Sequence, residues 1–96
     1  MDMGIDFEWN PQKAEANRRK HGVTFDEASS VFADPLSVTI PDPDHSEHEA
    51  RMVLIGRSSA GNLLVVAHTE AGERIRLISV RRASRREQRH YEEFSA

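Results

Sequence analysis

The sequence contains no cysteine, so no disulfide framework, thiolate nucleophile or Cys-based zinc site is available to it. No apolar run approaches the length needed to span a bilayer. The N-terminal stretch MDMGIDFEWN is acidic and lacks the basic and apolar regions of a signal peptide, so the expectation is a cytoplasmic protein. Also missing are a Gly-rich phosphate loop, a G-x-S-x-G nucleophile elbow and a dinucleotide fingerprint. Ninety-six residues suffice for one domain, 1–96, with a single modest core. Proline and glycine are few, four and five, and the 38% of hydrophobic residues fall in periodic runs, the mark of a folded chain.

Charge is what the chain does have, and it is segregated. The net charge is −3, yet Phe25 to Ala50 holds seven acidic residues and neither Lys nor Arg, whereas Glu73 to His90 holds seven Arg against two Glu. A second basic cluster, Lys13 to Lys20, precedes the acidic middle. Eleven of the thirteen basic residues are Arg, whose planar fork of donors suits phosphate or carboxylate. An anionic partner follows, either nucleic acid or an acidic protein surface.

Periodicity gives the elements. Ile5, Phe7 and Trp9 alternate with Asp6 and Glu8, as in a half-buried strand. Asn10-Pro11 forms a helix start and Gly22 a stop, which predicts a helix over 11–21. Thr24 with Glu27 has the form of a capping box, opening a second helix that runs to about Ala33 before Pro35. Strands are predicted at 36–40, 51–57, 63–69 and 74–80, the last three joined by short glycine-containing turns. Ser84 with Glu87 forms another capping box and opens a C-terminal helix to about Phe94. The order β-α-α-β-β-β-β-α predicts an α+β domain, an antiparallel sheet of four to five strands with helices packed on one face.

Several constellations are candidates for chemistry. Strict alternation along 74–80 places Arg74, Arg76 and Ile78 on one face, and Ile75, Leu77, Ser79 and Arg81 on the other. Arg76 and Arg81, flanked by core residues, are the first candidates for phosphate contact. Arg85 and Arg86 occupy a first helical turn where the macrodipole disfavours cations, and with Arg89 they serve either a phosphate or a solvated face paired to acidic neighbours. Lys20 and His21 end the first helix, where cations stabilise the terminus and where they could also transfer protons. His68 lies in the apolar run VVAHTE, as a core histidine or a catalyst, with Glu70 beside it. The segment DPDHSEHE offers two His and four acidic residues but no zinc spacing, and it predicts a solvated loop and no metal.

Three stretches, FEWNPQKAEANRRKHGVTFDEA, DPLSVTIPDPDHSEHEARMVLIGRS and RIRLISVRRASRREQRHYEEF, together resemble the BrnT family of type II toxin-antitoxin toxins along nearly the whole chain. The features that carry the resemblance are the early Trp9, the Lys20-His21-Gly22 helix end, Ile55-Gly56, and the ending from Ile78 to Arg89. It implies a RelE-like fold and an endoribonuclease that arrests growth by cutting RNA. A cognate BrnA-like antitoxin would neutralise it in a hetero-oligomer that represses its own operon. No ribbon-helix-helix or helix-turn-helix is apparent, and the resemblance assigns DNA contact to the antitoxin.

Metal-independent RNA cleavage needs proton removal from a 2′-OH, proton donation to the leaving oxygen, and stabilisation of a crowded phosphorane, with no cofactor. On this reading Arg76 and Arg81 clamp phosphate, with Arg51 as a third. Lys20 with His21, or His68, moves protons. Arg82, Arg85 and Arg86 hold the RNA backbone, and Trp9 or Tyr91 stacks on a base. The alternatives are a non-catalytic basic module that holds an acidic partner or nucleic acid, and an inactive relative kept as a repressor component. A proton-shuttle set pointing away from the arginines would favour binding alone.

Overall fold

The computed structural model describes residues 4–42 and 50–95. Most of the acidic loop, including His45 and His48, lies outside them. The elements follow the expected order: β1 Asp6–Glu8, α1 Pro11–His21, α2 Phe25–Ser30 continued by a 3-10 turn Val31–Ala33, β2 Val38–Pro41, β3 Arg51–Arg57, β4 Leu63–Ala71, β5 Arg74–Arg82 and α3 Arg85–Ser95. Local chemistry accounts for the boundaries. The Asn10 side chain accepts from the backbone N–H groups of Gln12 and Lys13 at 2.8 and 3.2 Å, Pro11 occupies the first turn, and Gly22 ends α1 at φ +71°. Ser84 and Glu87 form the reciprocal box, Ser84 N–H to Glu87 Oε1 at 2.8 Å and Glu87 N–H to Ser84 Oγ at 3.2 Å. At the start of α2 only half the box forms. Thr24 accepts from Glu27 N–H, while the Glu27 carboxylate reaches across to accept from Ser58 and Asn62 and fixes the β3–β4 turn.

The five strands form one sheet in the order β1-β5-β4-β3-β2. It departs from the expected arrangement in two particulars. First, β1 pairs with β5 in parallel, so the sheet is mixed; the chain must cross by way of two helices and three strands before it meets β1 again. Second, the helices occupy both faces. Leu64 and Val66 of β4 join Val23, Phe25, Ala28 and Val31 in the main core under α1 and α2, while Val65, between them, joins Ile55 and Tyr91 under α3. Alternation along one strand therefore serves two cores.

β5 contains a bulge. Leu77 lies opposite His68 and Ser79 opposite Ala67, which leaves Ile78 as the extra residue. Leu77 and Val80 consequently both enter the main core although they are three apart. The same shift moves Arg81 onto the face that carries Arg76, correcting the strict alternation that had separated them.

β1 covers only Arg74 to Arg76 of β5, so the strand beyond is an edge. Asn17 of α1 completes it. Its Oδ1 accepts from Val80 N–H at 3.0 Å, and its Nδ2 donates to the carbonyls of Val80 at 2.9 Å and Val23 at 3.2 Å. One buried amide thus pairs with β5 as a neighbouring strand would and ties the α1–α2 link to it. Replacement by alanine orphans buried donors and acceptors. Asn17→Ala should lower unfolding free energy by about 3 kcal/mol in urea titrations, with the Val80 amide losing hydrogen-exchange protection.

Candidate functional site

The second face of the sheet carries the charge. In register across four strands stand Arg51 of β3, Thr69 of β4, Arg76 of β5 and Glu8 of β1. Neighbouring strands are about 4.8 Å apart, so the Cα atoms of Arg51 and Arg76 are about 10 Å apart, within joint reach of one phosphate by two long side chains. Arg74 opposite Asp6 forms the next row. Arg81 stands on the same face roughly 15 Å further along β5. α3 roofs the far part of this face, packing on β2 and β3.

Each favoured arginine has a carboxylate partner. Arg76 donates from Nε to Oε2 of Glu8 at 3.0 Å, and its Nη2 lies 2.9 Å from the same oxygen in the ion pair. Arg81 makes a fork-to-fork pair with Glu87, Nη1 to Oε1 at 2.7 Å and Nη2 to Oε2 at 2.8 Å. Glu87 also caps α3 through Ser84 N–H, so one carboxylate locks the helix start to the end of β5. The Arg81 bonds hold the Glu87 carboxyl down at about 2, against an ordinary 4.5, with burial opposing and the Ser84 bonds assisting. Arg81 is raised in turn by the same pairing.

The proton-transfer candidates lie elsewhere. His68 is buried on the main-core face of β4, its ring edge-on to Phe32 at 4.9 Å and its Nδ1 at 3.2 Å from the Val66 carbonyl. Burial is the chief cause lowering its pKa below the ordinary histidine value, opposed by that carbonyl and Glu70. One cavity is lined by both His68 and Arg76, together with Thr39, Met52, Thr69 and Glu70. Lys20 and His21 occupy the last turn of α1, the helix whose Ala14 packs on the main core, and among the described residues their side chains make no hydrogen bond or ion pair. The sheet thus separates Lys20 and His21 from Arg76 and Arg81, and His68, buried against Phe32, shares only a cavity wall with Arg76.

Of the residues expected to hold RNA, Arg85 and Arg86 are exposed in the first turn of α3, and neither has a partner among the described residues. Arg82 is turned toward the β3–β4 loop and donates to Asn62 at 3.0 Å. Trp9 is half-buried, edge-on to Phe25. Tyr91 is in the second core at 6% exposure, its hydroxyl donating to Asp34 Oδ2 at 2.7 Å, so its ring is not presented to a base. Among the described residues no three His, Cys, Asp or Glu side chains gather as metal ligands, and no helix is long and apolar enough to cross a membrane.

Residues 9–87 match the family model described as the ribonuclease toxin BrnT of type II toxin-antitoxin systems. The chain belongs to this family. Among solved structures it is similar to the crystal structure of the Brucella abortus ribonuclease toxin BrnT, with a TM-score of 0.66 and 21% identity over 84% of this chain and 99% of that one. At that identity the likeness shows the shared fold. No curated protein matches the sequence.

Within this BrnT-family frame, sequence reasoning passed over Glu8 and the double role of Glu87. The signal for Glu8 was present, an acidic residue on the polar side of a period-two strand, but its partner lies sixty-eight residues away. Glu87 read only as a cap. Its folded pKa is depressed, so its stabilisation is complete above 4.5 and fades as pH falls toward about 2. Glu87→Gln should therefore cost about 1 kcal/mol at pH 7 and flatten the acid limb of stability between those values, as measured by urea unfolding across pH.

Proposed function

We propose that the chain is a toxin that cuts RNA within the strand by attack of a ribose 2′-OH on the adjacent phosphate, without a metal ion, and thereby blocks translation in the cytoplasm. The observation that supports this best is the arginine face: Arg51 and Arg76 in one row, with Arg81 brought to the same side by the β5 bulge. Fixed guanidinium groups stabilise the charge of a phosphorane without reorganising, the largest contribution most enzymes make to such a step. Family membership supports the ribonuclease class and a protein antitoxin as partner. A BrnA-like antitoxin would carry acidic groups onto these arginines, neutralising by occlusion and charge, and DNA would be met only through it.

A second reading, a basic module that holds RNA or an acidic protein without cutting, draws on one observation. Lys20 and His21 are divided by the sheet from the arginines they were expected to serve, and His68 is buried with its ring against Phe32.

Cleavage separates the two. End-labelled single-stranded RNA in EDTA should yield 2′,3′-cyclic phosphate ends with wild-type protein, and Arg76→Ala at equal foldedness should be slower by about 10²-fold. RNA bound but uncut, free or on a translating ribosome, would establish the binding module. Because Arg81 holds α3 through Glu87, Arg81→Ala should lower both thermal stability and activity, whereas Arg76→Ala lowers activity with a near-wild-type melting temperature.

A further inference from the structure

We propose that Glu8 is the general base of the cleavage, taking the 2′-OH proton on the arginine face; the assignment rests on the ribonuclease reading above. With Lys20 and His21 across the sheet and His68 buried against Phe32 and the Val66 carbonyl, the reaction needs a proton acceptor on the side where Arg51 and Arg76 stand. Glu8 is in register with Arg76 there, on the edge strand β1, with its side chain 31% exposed.

The pairing geometry distinguishes Glu8 from the other carboxylates that bind arginine. Glu87 uses both oxygens, Oε1 for Arg81 and Ser84 N–H and Oε2 for Arg81, and is committed to structure. Glu15 likewise gives both oxygens to Arg18 and Arg19 on exposed α1. Glu8 accepts from Arg76 Nε on Oε2, which is also the oxygen nearest Nη2 in the ion pair, and among the described residues Oε1 has no hydrogen bond. A carboxylate held by one oxygen and open at the other is oriented without being occupied. Nη1 of Arg76 has no partner among the described residues either, so a phosphate oxygen can be bound by the same guanidinium that aims the base.

The step balances with these groups. Oε1 of Glu8 accepts the proton of the 2′-OH as O2′ forms a bond to phosphorus. The P–O5′ bond then breaks, the 5′ oxygen takes a proton from solvent water, and the products are a 2′,3′-cyclic phosphate and a 5′-OH. Glu8 returns its proton to solvent, so no other reactant is consumed.

The charged groups facing Glu8 are Arg76 and Arg74 from β5, the strand paired with β1, and Asp6 on its own strand. Glu8→Gln keeps shape and removes basicity. On single-stranded RNA in EDTA its kcat should fall by about 10²- to 10⁴-fold with KM unchanged or lower. Wild-type kcat/KM should decline on the acid side, as general-base catalysis requires, while the residual rate of E8Q should instead rise steadily with hydroxide. A residue that merely pins β1 would alter melting and KM and leave the acid limb in place. Cleavage by E8Q within a few-fold of wild type, or with the same acid limb, overturns the assignment and leaves the ribonuclease reading standing. RNA left uncut by wild type overturns both. Should E8Q fail to fold, Glu8→Asp decides: it keeps the charge but retracts the free oxygen, and a kcat equal to wild type overturns the assignment.

Discussion

One buried amide holds the architecture together. Strand β5 is long, its parallel neighbour β1 is three residues, and the remaining edge would expose backbone donors and acceptors beside a dry core. Asn17 answers them with both ends of its side chain and simultaneously fixes the turn at Val23. The orientation of α1 over the sheet, the entry into α2 and the satisfaction of β5's open edge at Val80 depend on it. A hydrophobic residue at this position would pack equally well and leave Val80 unsatisfied, which costs more than the packing supplies.

Much of this fold was legible in the sequence because its determinants are local. Asn10-Pro11, Gly22, and Ser84 with Glu87 act within a turn of one another, and the helices begin and end where those residues say. What the sequence withheld is long-range. Nothing near Glu27 announces that its carboxylate will leave Thr24 for Ser58 and Asn62, thirty or more residues on. Nor does an alternating stretch reveal that one of its members, Ile78, is not counted in the pairing.

The candidate site was legible as composition and illegible as arrangement. The arginines stood out by number, and two of them stand in the face they were expected to form, each with a carboxylate. The histidines and Lys20 stood out by type, yet a residue's type says nothing about which side of a sheet it will occupy. His68 is on the core side because the apolar members of β4, Leu64 and Val66, share its parity and the main core claims them. Tyr91 went inside for a comparable reason: α3 needs an anchor, and Asp34 offers its hydroxyl a partner.

The bulge at Ile78 has an evolutionary side. Removing that residue would leave every pair of the β4–β5 ladder in place, so Arg76 and Arg81 would stay on one face and Leu77 and Val80 in the core. A second residue lost from the same stretch would find no unpaired position to absorb it and would reverse every side chain beyond it. Lineages carrying this domain should therefore differ between Arg76 and Arg81 by the presence or absence of this one residue far more readily than by any other change in spacing.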